Sequence, residues 1–109
     1  MTVFEKLSTG MSKLDIPFSY SNFTESNMPD KLPYAVYLGS GADTLTADNI
    51  VYWSKNLYIV EYYFDSKNEI KEKQLEDTFT EQGFIWQKSV DVQIPEENIY
   101  VIYYDLKEN

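Results

Sequence analysis

The chain has 109 residues, enough for one domain with a single core and no need of a disulfide or metal staple. A hydrophobic fraction of 43% and an aromatic fraction of 17% exclude a disordered chain. Eighteen acidic residues against nine basic ones give a formal charge of −9, which argues against a nucleic-acid-binding face.

From the N-terminus, Thr2 and Glu5 have the spacing of a capping box, and Phe4, Leu7, Met11 and Leu14 share one helical face. A helix over 3–13 follows, weakened at Gly10 and stopped before Pro17. In IPFSYSNF, the residues Ile16, Phe18 and Tyr20 alternate onto one side of an edge strand. Residues 21–33 read as loop. YAVYL predicts a short strand ended by the glycines of GSGAD, and 39–49 then reads as an exposed connection. Loops 21–32 and 39–49 are both expected to be mobile until the protein assembles.

The strand NIVYW comes next. The Ser54–Lys55–Asn56 break that follows is either a bulge in one long strand or a tight hairpin, and it leads into LYIVEYYFD. Ser66 and Glu69 repeat the capping-box spacing and predict a second helix over 67–82, with Gly83 as its stop and Ile70, Leu75 and Phe79 as its apolar side. The last third predicts two antiparallel strands around a Pro95–Asn98 turn. The whole reads as one domain, 1–109, of α+β class: a mainly antiparallel sheet of four to five strands with two helices packed on one face. In strands 57–64 and 99–106 both alternating sets are apolar or aromatic. The face opposite the helices must therefore be covered by loops or by another copy.

Composition removes much chemistry. Without cysteine there are no disulfides, thiol nucleophiles or iron–sulfur clusters, and without histidine the usual general base and transition-metal ligand are missing. All nine basic residues are lysine, so no arginine fork can grip phosphate. Asp43 and Asp48 lack the alternating oxygen ligands of a calcium loop, and Asp48–Asn49 fits a turn instead. Glu96 with Glu97, or Glu61 with Asp65, form acid pairs of a kind that eighteen acids generate by chance. Trp53 and Trp86 read as core anchors. No cofactor, metal or catalytic constellation is expected. Tyrosine-rich strands could stack on sugars or exposed bases, but without the clustered side-chain amides of a carbohydrate platform they read as core and subunit interface. No apolar run is long enough for a membrane span and no leader pattern is visible, so synthesis in a cytoplasm is expected.

From LPYAVYLGSGADTLTADNIVYWSKNLYIVEYYFDSKN onward the chain resembles small virion proteins of long-tailed phages of low-GC Gram-positive bacteria, those acting as tail terminator, tail completion or head–tail joining proteins. The matching parts are Pro33–Tyr34 opening a strand, ADN at 47–49 followed by Tyr52, VEYYFDSKN running into the acidic helix, QKS at 87–89, and ENIYVIYYDL. The resemblance implies a ring, usually a hexamer, with the tail-tube protein and the head connector as partners and DNA passing through without specific binding. Its location would be the head–tail junction of the virion. The expected contact residues are Asp43, Leu45, Asp48 and Asn49 in the loop, with Tyr58, Tyr62, Tyr100 and Tyr104 on the strands. The competing reading is a monomeric aromatic-rich module binding a carbohydrate or a host protein, with a small carboxylate enzyme a more distant third.

Overall fold

The computed structural model describes residues 2–23 and 31–108, with Tyr52 described by its backbone alone. Helix α1, Val3–Lys13, opens on the expected capping box: the Glu5 N–H donates to Thr2 Oγ1 at 3.1 Å and the Glu5 carboxylate accepts from the Thr2 N–H. Strand β1 is Phe18–Tyr20, β2 is Tyr34–Ala47 and β3 is Ile50–Phe64. Helix α2 spans Glu69–Glu81, followed by β4, Phe84–Lys88, β5, Val92–Ile94, and β6, Ile99–Glu108.

The class is α+β, with two helices and a mixed sheet of six strands in the order β1-β2-β3-β6-β4. Two features depart from the expected sheet. β1 runs parallel to β2, pairing Phe18 with Ala35 and Tyr20 with Tyr37. The stretch expected as one strand before the Pro95 turn is split into β4 and β5, which pair in succession with β6. The rest is antiparallel. β6 lies centrally, with Tyr62 opposite Ile102 on one side and Trp86 opposite Leu106 on the other.

Both helices cover one face. Leu7 and Met11 of α1, with Leu75 and Phe79 of α2, join Ala35, Val60, Tyr62, Phe64, Phe84, Ile102, Tyr104 and Leu106 in one buried cluster. Burying each of the larger side chains contributes roughly 1.5–3 kcal/mol. The helices are tied together at their ends, where Gln82 Nε2 donates to the Lys6 carbonyl at 2.6 Å and Lys71 Nζ donates to the Leu14 carbonyl. Gly10 lies between them.

Helix α2 differs in detail from its sequence reading. Its N-cap is Asn68, whose side chain accepts from the Lys71 N–H at 3.0 Å, so Ser66 is not the cap. Ile70 is exposed because it lies about 140° around the helix from Leu75, at 3.6 residues per turn. The inward position in that first turn belongs to Glu72, which is buried. Gly83 does end the helix region, at φ 88°.

The largest correction concerns 39–49. This stretch is strand to Ala47 with a turn at Asp48–Asn49, not an irregular connection: β2 and β3 form one long hairpin whose register runs from Tyr34↔Tyr63 to Ala47↔Ile50. The 54–56 break therefore lies inside one continuous strand. Of the other expected loop, residues 24–30 lie outside the described residues.

Candidate interaction surface: a projecting hairpin arm

β6 pairs with β3 only from Leu57 onward, so residues 40–56 extend past the sheet as a two-stranded arm. Six residue pairs at ~3.3 Å per residue give it a length of roughly 20 Å. The molecule measures 51 × 29 × 29 Å.

Local sequence explains the arm. At its root β2 carries one extra residue between Gly39 and Ala42, where Gly41 adopts φ 93°. At its tip Asp48 and Asn49 have φ of 52° and 65°, the two left-handed residues of a tight hairpin turn. Asp and Asn tolerate that conformation better than other residues with a Cβ. A second irregularity lies between Leu45 and Thr46, where β3 holds the extra residue.

The pleat sorts the arm into two faces. One presents the pairs Asp43/Lys55, Leu45/Trp53 and Ala47/Ile50; the other presents Ala42/Asn56, Thr44/Ser54 and Thr46/Val51. Trp53 and Lys55 fall in the same every-second-residue set as Leu57, Ile59, Glu61 and Tyr63 along β3, so the apolar face of the arm continues the helix-free face of the sheet. Leu45 is 50% exposed, Ile50 57% and Trp53 42%. These are large apolar side chains with no cover among the described residues. At the root, Lys107 Nζ donates to the Asp43 carboxylate at 2.5 Å, and Lys55 Nζ sits 5.9 Å from the centre of the Trp53 ring.

Of the expected contact residues, Leu45, Asp48 and Asn49 therefore lie on the arm and face solvent. Asp43 is half-buried and held by Lys107. Tyr58 and Tyr100 are half-buried at the margins of the core, Tyr100 stacked on Phe64 at 5.5 Å. Tyr62 and Tyr104 are a correction. They are enclosed within the fold, at 1% and 0% exposure, because their side of the sheet is the side the helices cover. The Tyr104 hydroxyl donates to Glu76 at 2.7 Å. Trp53 is likewise no core anchor, whereas Trp86 packs against the core and donates to Thr80 Oγ1 at 2.9 Å.

Trp53 and Ile50 are the interaction candidates that sequence reasoning missed. In NIVYW an apolar run reads the same whether its strand is enclosed or projects. The usable signal was Asp48–Asn49 placed between two β-prone segments, which is a hairpin signature.

The acids singled out in the sequence do not converge on a site among the described residues. Asp43 and Asp48 are separated along the arm, and among the described residues no group of three or more His, Cys, Asp or Glu is placed to hold a metal. Glu61 accepts from the Tyr63 hydroxyl at 2.6 Å, while Asp65, Glu96 and Glu97 are exposed. Burial first, and then that bond to Glu61, hold the Tyr63 phenol well above the ordinary tyrosine range. On the helix-free face, Phe23, Tyr34 and Tyr63 border a shallow cleft of about 360 Å³ with Asn22 and Glu97 at its rim. No helix among the described residues is long and apolar enough to cross a membrane.

No protein-family model matches the chain, and no curated protein is significantly similar to it.

Proposed function

We propose that this protein is a non-enzymatic assembly subunit of a long-tailed phage or prophage, forming a ring at the head–tail junction that ends the tail tube and joins it to the head. The observation that carries this reading is the projecting arm. A two-stranded ribbon is marginal in water on its own, and one that exposes Leu45, Ile50 and Trp53 together is suited to burial against another protein. The resemblance of LPYAVYLGSGADTLTADN and ENIYVIYYDL to head–tail junction proteins supplies the setting. In that setting the partners are further copies of the chain, the tail-tube protein and the head connector. The −9 charge suits a channel wall along which DNA slides without sticking. The ring is made in the host cytoplasm, needs no cofactor and engages no membrane.

The test is genetic. Deleting the gene and imaging the lysate should give tails detached from filled heads, over-long for a terminator and of normal length for a joining protein. Intact infectious virions would remove both roles. The cleft bordered by Phe23, Tyr34 and Tyr63 favours one second reading, a monomeric module binding a carbohydrate or a host protein. A dispersed monomer that takes a glycan ligand, and loses it on Tyr34→Ala, would support that reading instead.

A further inference from the structure

We infer that copies of this chain meet head to tail, the apolar face of one arm lying over an aromatic patch at the β1 edge of the next. This rests on the ring reading and names the contact that would close it.

The patch is built from α1, β1 and β2. Phe4 stacks on Phe18 at 5.9 Å and on Tyr37 at 5.6 Å, Phe18 stacks on Tyr37 at 5.5 Å, and Tyr20 meets Tyr37 edge-on at 5.3 Å. Two of these rings reach solvent, Phe4 at 40% exposure and Tyr20 at 60%. Tyr20 pairs with Tyr37 and Phe18 with Ala35, which puts the patch on the helix-bearing side of the sheet. The apolar face of the arm opens on the other side. A two-fold pair would satisfy both of these unlike surfaces only by a reciprocal exchange of arms, which surfaces on opposite sides of the sheet disfavour. That pair would link the double variant below into dimers alone. The surfaces are satisfied when the same contact repeats from copy to copy, a series that closes as a ring when the rotation from copy to copy returns to the start.

Charge selects the same pair of surfaces. A chain at −9 repels its own copies except where the charge is locally balanced. In α1 and the turn after it, Glu5 and Asp15 offset Lys6 and Lys13, with Glu5 already engaged in the Thr2 cap. On the arm, Asp43 is held by Lys107, leaving Asp48 against Lys55. The excess of acid lies in the rest of the chain, above all in α2 and the strands after it.

One such contact is small. An arm face roughly 20 Å long and two strands wide, about 10 Å, buries several hundred Å² in total, below the ~1,000 Å² that a contact stable by itself usually needs. Each copy in a ring makes the contact twice, so closure supplies the stability that a single contact lacks.

The chain has no cysteine, which gives a clean test. Leu45→Cys and Tyr20→Cys are made as separate proteins, both at exposed positions, and their folding is checked by circular dichroism. They are mixed at high concentration and high salt with a short bismaleimide. The expected result is a covalent heterodimer from the mixture, little product from either variant alone, and a ladder of linked copies from the double variant. Leu45→Cys homodimers as the main product would overturn the inference in favour of arms meeting by two-fold symmetry. Absence of any covalent product would also overturn it. Light scattering on the same samples separates the two proposals, since assembly without the cross-link leaves the ring reading standing.

Discussion

Glu72 is 3% exposed at its side chain and is held by two lysines that can still reach water, Lys67 at 2.9 Å and Lys88 at 2.9 Å. Lys88 also reaches Glu76 at 2.7 Å, and Glu76 in turn accepts from Tyr104. Removing a lysine strands a carboxylate in the interior, whereas removing the carboxylate frees lysines that swing outward. Lys88→Ala should therefore cost about 2–3 kcal/mol in urea unfolding, and Glu72→Met distinctly less. Equal losses would contradict the asymmetry. The same burial governs the alkaline limit of the fold. Burial first, and then the charge of Glu72, push the Tyr62 phenol up to about 12, and burial followed by the bond to Glu76 raises Tyr104 further. Because these folded-state values lie above the ordinary ~10, the unfolded chain sheds protons that the folded chain keeps. Stability is then complete below about pH 10 and falls as pH rises through about 12. Phenolate absorbance from these tyrosines should appear together with loss of the circular dichroism signal. Gradual ionisation of every tyrosine with the fold intact would refute the assignment.

Between elements, the contact of α1 with α2 turns on Gly10. A Cβ placed there would lie 2.6 Å from Thr78 Cγ2 and 3.0 Å from Gln82 Nε2. Helix propensity alone favours Gly10→Ala by about 1 kcal/mol, but the clash should reverse the sign to a loss of about 1–2 kcal/mol. A raised melting temperature would show that the helices can separate without cost. The arm has no third strand, so its amides should exchange well before those of 57–64 and 100–106, which lie deep in the sheet. Protection at 42–55 equal to that of the central strands would contradict this. These elements also show what the sequence could disclose. The Thr2 box, the Gly83 stop and the pairing of 57–64 with 99–106 were legible because each rests on local chemistry or on apolar alternation. The cap of α2 slipped from Ser66 to Asn68, since both are competent and only the backbone entry angle chooses. Glu72 was hidden because a carboxylate reads as solvent-facing unless its lysine partners, far along the chain, are known. The arm was hidden because Gly39–Asp43 carries turn residues that here form a bulge inside a strand.

At the scale of the whole molecule, shape and charge set behaviour in solution. A compact chain of this length has a radius of gyration of about 13 Å, and the arm lifts the Cα value to 15.2 Å. X-ray scattering from dilute protein at low salt should return an elongated particle, with association growing as salt screens the −9 charge. A compact profile, or association that weakens with salt, would contradict this picture. The central place of β6 reaches into biosynthesis. Residues 99–108 join β3 to β4, yet they are translated after both. Until the ribosome has released them, the nascent chain holds two aromatic strand edges apart with nothing between them, and its core cannot close. The sheet therefore completes only when β6 pairs with both earlier strands, a long-range step of the slow kind. For that interval the unfilled slot is the part of the chain most open to capture by a strand from another molecule.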